Sequence, residues 1–75
     1  MIDAIHLTKI KPEADQRRYF LLHIEAGLFG DWALVREWGR IGRSGQIRSD
    51  WFDDMADAEQ AQQLLARAKA KRGYN

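Results

Sequence analysis

The hydrophobic period of this chain changes once, near residue 53, and this single change constrains the fold more than any other feature. Before it, short apolar or alternating runs are separated by polar and glycine-containing segments, which is the pattern of strands and hairpins. After it, apolar residues recur at helical spacing. A chain of 75 residues has room for one small core. The sequence therefore predicts a sheet followed by one helix, within a single domain over residues 1–75.

The strand segments share aromatic or aliphatic residues and end at turn-forming residues. They predict strands over 4–10, 17–25, 32–40 and 46–52, with a helix over 55–72. The fold class is therefore α+β: a single antiparallel β-sheet of about four to five strands with one C-terminal α-helix packed on one face. The other face of such a sheet is left toward solvent, and a binding site is expected there.

The predicted helix carries an apolar stripe that should pack on Phe20 or its same-face neighbours Leu22 and Ile24. The stripe consists of Ala58, Ala61, Leu64, Leu65 and Ala68.

Both helix ends carry boundary signals. Asp54 and Asp57 are spaced like a capping box, with Asp in place of the usual Glu. Gly73 predicts the stop, and the bases of the last turns suit the helix dipole. The last two or three residues are expected to be disordered.

Several classes of function are excluded or disfavoured by what the sequence lacks. Without cysteine there are no disulfides, thiolate zinc sites or iron–sulfur clusters, which fits a cytoplasmic protein. Neither a signal peptide nor a stretch of about 20 apolar residues is present, so no membrane partner is expected. His6, His23 and the carboxylates match no metal or catalytic spacing. We expect no enzyme activity, no metal and no cofactor.

Charge is segregated along the chain, although the formal net charge is only +1. Residues 32–48 carry +3, residues 49–63 carry −5 and residues 64–75 carry +4. A nearly neutral protein cannot hold a polyanion by bulk attraction. Any nucleic-acid binding must therefore come from a local basic face. The bases of 64–75 could add a phosphate contact, but favourable charge at a helix end is the more economical interpretation.

The most informative segment is Trp38-Gly39-Arg40-Ile41-Gly42. Trp38 shares one side of its strand with Arg36 and Arg40, offering an indole surface flanked by guanidinium groups. Such a surface suits a base or ribose with its phosphates. We expect these three side chains on the sheet face opposite the helix, with Trp38 partly exposed. The alternative is that Trp38 is a core aromatic and the arginines belong to a solvated face.

Three glycines accompany this segment: Gly39, Gly42 and Gly45. Gly39 would let another backbone approach closely, whereas Gly42 and Gly45 predict a compact hairpin loop with positive φ at both. They do not have the spacing of a phosphate-binding loop.

The Trp-Gly-Arg tripeptide and its surroundings resemble the WGR domain, which occurs in eukaryotic poly(ADP-ribose) polymerases and in many bacterial proteins. The resemblance extends over 17–75. It includes the leading strand 19–22, Gly45-Gln46, the approach 52–54 to the helix, and Ala58. Residues 1–16 carry no assigned motif, although a first strand in the same sheet is compatible with the family's fold.

The resemblance implies nucleic-acid binding, with DNA favoured over RNA. In the polymerases this domain contacts DNA near a strand break, and by position the nucleotide-stacking role falls to Trp38 and the bridging role to Arg40. Arg36, Arg43 and Arg48 complete the predicted site. The acidic segment 49–63 would repel a DNA path that ran over it.

The alternative function is a protein–protein interaction adaptor. It would use the same Trp/Arg face together with the loop tip Leu28-Phe29. Because Trp and Arg dominate both kinds of interface, composition does not separate the two functions.

Overall fold

The computed structural model describes the backbone of residues 2–75 and the side chains of residues 4–75. Four strands precede one helix, which confirms the predicted α+β class. The elements are β1 (Ile2–Lys11), a 3-10 turn (Pro12–Ala14), β2 (Gln16–Ala26), β3 (Trp32–Arg40), β4 (Gln46–Phe52) and α1 (Met55–Lys71). The strands lie in the order β1-β2-β3-β4, and all neighbours are antiparallel.

The register of the sheet places the even-numbered residues of β2, β3 and β4 on the face that α1 covers. Phe20 lies opposite Trp38, and Ile24 lies opposite Leu34. Because side chains alternate between faces, all even positions of these strands point to the same side. The core lies between this face and the helix, and it consists of Phe20, Leu22, Ile24, Leu34 and Ala58.

The buried stripe of α1 differs from the predicted one. Ala58 and Gln62 are the buried helix residues, with Ala61 and Leu65 partly buried. The side chain of Leu64 is 59% exposed.

Ala68 is exposed as well. The prediction for Leu64 and Ala68 is therefore wrong, because the helix is rotated toward a stripe through residues 58, 62, 65 and 69. The polar side chain of Gln62 can be buried here because its amide Nε2 donates to the carbonyl oxygen of Leu22 at 3.5 Å.

The helix begins at the predicted residue and ends one residue before the predicted bound of 72, and the chemistry at its start differs from the prediction. Asp54 is the N-cap, yet its side chain makes no capping hydrogen bond, so the predicted capping box is wrong. At the end, Gly73 has a φ of +95°. The amides of Gly73 and Tyr74 donate to the carbonyls of Ala70 and Lys69, both at 3.1 Å. This hydrogen-bond pattern is a Schellman motif.

The last residues are held in place, contrary to the expected disorder. The Schellman turn sends the chain back toward the sheet, where the ring of Tyr74 lies 6.3 Å from that of Phe20. Asn75 and Thr8 exchange two backbone hydrogen bonds, of 2.8 and 2.9 Å. The end of the described chain therefore covers part of the outer edge of β1.

Candidate functional site

The candidate site is a shallow cleft between the C-terminal half of α1 and strands β2 and β3. Its volume is about 170 Å3, and it is lined by Phe20, Arg36, Trp38 and Lys69. The rings of Phe20 and Trp38, neighbours across the two strands, have centroids 6.4 Å apart and are tilted by 40°. Pockets for whole small molecules start at roughly 300 Å3, so this cleft suits part of a larger ligand.

The cleft lies on the helix-covered face, whereas Trp38, Arg36 and Arg40 were expected on the opposite face. That expectation is wrong because all three residues share their parity with the core residue Leu34. The helix starts after Phe52, near the Trp32 end of β3, and reaches the Trp38 end only with its last turns. Trp38 is therefore partly buried and partly open, as predicted, and it also packs against the core. The two alternatives for Trp38 both hold in part.

Lys69 supplies a cation that sequence reasoning missed. Its Nζ lies 4.6 Å from the centroid of the Phe20 ring and 5.3 Å from that of Tyr74, both within range of a cation–π interaction. From the sequence, the bases of residues 64–75 were expected mainly to suit the helix dipole, with a phosphate contact as the alternative, and Lys69 was not singled out among them. The signal that could have found Lys69 is its spacing of eleven residues from the buried Ala58, which places both on one helix face.

The electrostatic surroundings of Lys69 are strongly positive. Partial burial lowers the pKa of its ammonium group, and the nearby cations lower that pKa further. In decreasing order of effect these cations are Arg72, Arg36, Arg18 and Lys9. They come from β1, β2, β3 and the end of α1, so the fold concentrates on one side of the molecule charges that lie far apart in sequence.

Arg36 is held in position by Asp50. Its Nη2 donates to Asp50 Oδ2 at 2.8 Å, while Arg48 Nε donates to Asp50 Oδ1 at 3.2 Å. Asp50 therefore holds one end of the guanidinium group beside the cleft and offsets part of its charge. Lys69, by contrast, has mainly cations around it.

The other three predicted arginines lie around the cleft rather than in it. Arg40 is exposed at the end of β3, where its Nη2 is 3.8 Å from Asp15 Oδ2. Arg43 is exposed in the β3–β4 turn, and Arg48 is exposed on β4. Of the predicted site residues, the structure thus brings Trp38 and Arg36 together and adds Phe20 and Lys69.

Two of the predicted glycines pack behind Trp38. A Cβ on Gly39 would lie 2.9 Å from the Cα of Gly45. A Cβ on Gly45 would overlap the Trp38 carbonyl oxygen and the hydroxyl of Tyr19. Close approach therefore explains both residues, as predicted for Gly39.

Gly42 and Gly45 were both expected to have positive φ, and this is right for Gly42 alone. Gly42 has a φ of +87°, whereas Gly45 is outside the left-handed region. Gly45 is needed for space and not for backbone conformation.

Tyr19 supports this packing from the face that the helix leaves uncovered. Its hydroxyl donates to Glu37 Oε2 at 2.7 Å. That hydrogen bond, followed by burial and the charge of Glu37, raises the pKa of Tyr19.

Residues 2–75 contain no helix that is long and apolar enough to cross a membrane. No group of three or more His, Asp or Glu side chains that could hold a metal ion occurs among the described residues.

Comparison with known proteins gives a family match and a relative of similar sequence. The sequence model of the WGR domain family matches residues 3–75, which adds the first strand to the segment 17–75 that carries the resemblance. The uncharacterized protein y4dW of Sinorhizobium fredii is 40% identical over 70 residues, covering 93% of this chain and 34% of that protein. The chain therefore spans about a third of the length of this relative. No solved structure matches the chain.

Proposed function

This chain belongs to the WGR domain family, and from that premise we propose that it binds DNA through the cleft at the end of α1. The WGR domain is a nucleic-acid-binding type of module in poly(ADP-ribose) polymerases and related proteins, and it is a binding domain rather than a catalytic one. The residues that carry the name of the family are Trp38, Gly39 and Arg40.

One observation carries the proposal: aromatic rings and cations line the same half-open cleft. The exposed part of Trp38 offers a stacking surface for a base or sugar, and every base has a π-face. Arg36 and Lys69 lie beside it and suit phosphate oxygens, since guanidinium and ammonium groups both bind phosphate. A nucleotide that enters with its base on Trp38 would place its phosphate near these two cations.

The crowding of cations around Lys69 supports a polyanionic ligand. Like charges that are brought together by the fold repel one another, and an incoming phosphate relieves this repulsion. Binding would also release counterions from the nucleic acid, which adds a salt-dependent gain for each neutralised phosphate.

The charge along α1 changes from negative at its start to positive at its end, which favours a nucleic acid at the end of the helix. The helix begins among the acids Asp53, Asp54 and Asp57, and it ends at Lys69, Lys71 and Arg72. A nucleic-acid strand is therefore repelled from the start of the helix and attracted to the cleft. Arg40, Arg43 and Arg48, exposed around the cleft, would contact flanking phosphates.

The test is a fluorescence-anisotropy titration of the protein against blunt, nicked and single-stranded DNA and matched RNA, at two salt concentrations. Lys69→Gln should lower the slope of log affinity against log salt by nearly one, because one phosphate contact is lost. Lys71→Gln is the matched control, being an exposed lysine on the same helix. Equal effects of the two substitutions would mean diffuse attraction and would contradict a role for the cleft, as would wild-type protein that binds no oligonucleotide at low salt.

One observation, at the hairpin between β2 and β3, favours the alternative function as a protein–protein interaction adaptor. Leu28 and Phe29 are 94% and 91% exposed. Exposed apolar side chains of this size at a loop tip suit a protein partner better than a phosphate backbone. Phe29→Ser should therefore leave oligonucleotide binding unchanged, and docking through this tip should depend little on salt.

A further inference from the structure

The two edge strands of the sheet, β1 and β4, differ in what pairs with their outer sides. The outer edge of β1 exchanges two hydrogen bonds with Asn75. β4 lies at the other end of the strand order, and within residues 2–75 its hydrogen-bonded neighbour in the sheet is β3. An edge strand presents unpaired N–H and C=O groups, a template for pairing with another strand. β4 lacks several of the usual protections against this, since it contains no Pro, no Lys and no bulge in its pairing with β3, and its two charged residues, Arg48 and Asp50, have opposite signs.

The sequence of β4 is complementary to itself when it is reversed. In an antiparallel pair of two β4 strands centred on Ser49, Arg48 of each copy lies opposite Asp50 of the other. In the same register Ile47 lies opposite Trp51, and Gln46 lies opposite Phe52. Opposite charges and aromatic–β-branched pairs stabilise a sheet, so the pairs Arg48/Asp50 and Ile47/Trp51 favour this register.

The uncovered face of the sheet supports the same register. Ile47 and Trp51 are odd-numbered and lie on the face that α1 leaves open, where they are 68% and 59% exposed. A two-fold axis through Ser49, perpendicular to the sheet, keeps this face on one side in both copies. The four apolar side chains would then meet across the axis and cover one another.

We propose that β4 is an isologous dimerisation edge, and that its partner is a second copy of this chain. The two four-stranded sheets join into one antiparallel sheet of eight strands. Each cleft lies on the helix side of its own sheet, at the Gln46 end of β4, and in this register that end lies opposite Phe52 of the other copy. A seven-residue edge is short, so we expect a reversible dimer that depends on protein concentration.

The sharpest test uses the absence of cysteine. Ser49→Cys introduces a single thiol at the two-fold axis, and directly opposed residues have Cα atoms about 4.5 or 5.5 Å apart. This separation is within the range that a disulfide spans. Under mild oxidation Ser49→Cys should form the cross-linked dimer rapidly, whereas Ser44→Cys in the exposed β3–β4 turn should not. Equal rates for the two variants would overturn the proposal.

A second test measures association without a cross-link, by sedimentation across a concentration series up to the millimolar range. Ile47→Lys places a charge on the edge in both copies and should raise the dimer dissociation constant about tenfold or more. Leu28→Lys is the control, because it replaces an apolar residue outside β4 that is even more exposed than Ile47. The proposal is overturned if wild-type protein stays monomeric, or if Leu28→Lys weakens association as much as Ile47→Lys. If Ile47→Lys fails to fold by circular dichroism, the cysteine test decides alone.

Discussion

The two faces of the sheet are built from the same strands, but α1 covers part of one face and leaves the other uncovered. On the covered face, even positions form the core under α1 and then continue past it, so that Trp38 and Arg36 emerge half-buried at the end of the helix. On the uncovered face, odd positions carry Ile47, Trp51 and the Tyr19–Glu37 hydrogen bond. The comparison teaches that the candidate site arises where the covering helix ends, because there aromatic side chains are fixed by packing and still reachable.

The largest expected effect concerns the core of the covered face. Leu22→Ala removes a side chain that is 1% exposed and should lower the free energy of unfolding by about 2–5 kcal/mol, from lost burial and the cavity left behind. Leu64→Ala, at an exposed helix position, should change it by less than about 0.5 kcal/mol. Denaturant titration measures both values. A loss of about 2 kcal/mol or more for Leu64→Ala would contradict the rotation of α1, because it would mean that Leu64 is buried.

The second prediction separates the two exposed tryptophan surfaces. If Trp38 stacks on a nucleotide, Trp38→Ala should cost about 1–3 kcal/mol of oligonucleotide affinity, with the salt slope nearly unchanged. Trp51→Ala, on the uncovered face, should leave affinity as it is. Anisotropy titrations at two salt concentrations measure both quantities. Equal losses for the two variants would place the nucleic acid on both faces and remove the distinction.

A smaller effect should appear when the predicted arginine outside the cleft is compared with the lysine inside it. Lys69→Gln should lower the salt slope by nearly one unit, and Arg40→Gln should lower it by less, because Arg40 is exposed and lies near Asp15. The same titrations measure this difference. A larger effect of Arg40→Gln would move the phosphate contact from the cleft to the end of β3.

The smallest expected effect is on the free energy of unfolding at alkaline pH. Lys69, on the covered face, and Tyr19, on the uncovered face, should change it in opposite directions. The folded pKa of Lys69 is below its ordinary value of 10.5, so between these two pKa values the unfolded chain binds the extra proton and stability rises with pH. The folded pKa of Tyr19 is above 10.0, so above that pH the unfolded chain loses its proton first and stability falls.

The free energy of unfolding should be measured from pH 9 upward. Lys69→Gln should abolish the rise in stability, and Tyr19→Phe should abolish the fall. Binding of an oligonucleotide should in addition raise the pKa of Lys69, which nuclear magnetic resonance can follow. A Lys69 pKa that does not move on binding would contradict a phosphate contact at this residue.

The strands and the helix were predictable because each has its own local period and its own turn residues. Trp32–Arg40 and Gln46–Phe52 match the predicted bounds, and the helix starts at Met55 as expected. Which face of the sheet the helix covers was not predictable in this way. Residue parity tells which side chains of β3 share a face. It does not tell whether the face of Trp38 and Arg36 is the one that α1 covers, because tertiary packing decides the direction of α1.

The errors within the helix have a related cause. Alanines occur on several sides of α1, so apolarity alone does not fix its rotation, and Leu64 appeared as good a core residue as Leu65. Gln62 faces the core because a backbone carbonyl from β2 can accept its hydrogen bond. That acceptor comes from a residue 40 positions away, which no local pattern contains.

The pairing of Asn75 with Thr8 has a consequence for the order in which the molecule assembles. It joins residues 67 positions apart, whereas the β2–β3 hairpin closes over a short loop. Contacts of such long sequence separation cost the most chain entropy to close and form late. Tyr74, which lies on Phe20 beneath Lys69, is in place only after this closure. We therefore expect the part of the candidate cleft that adjoins Tyr74 to be completed late in folding and to be lost early on partial unfolding.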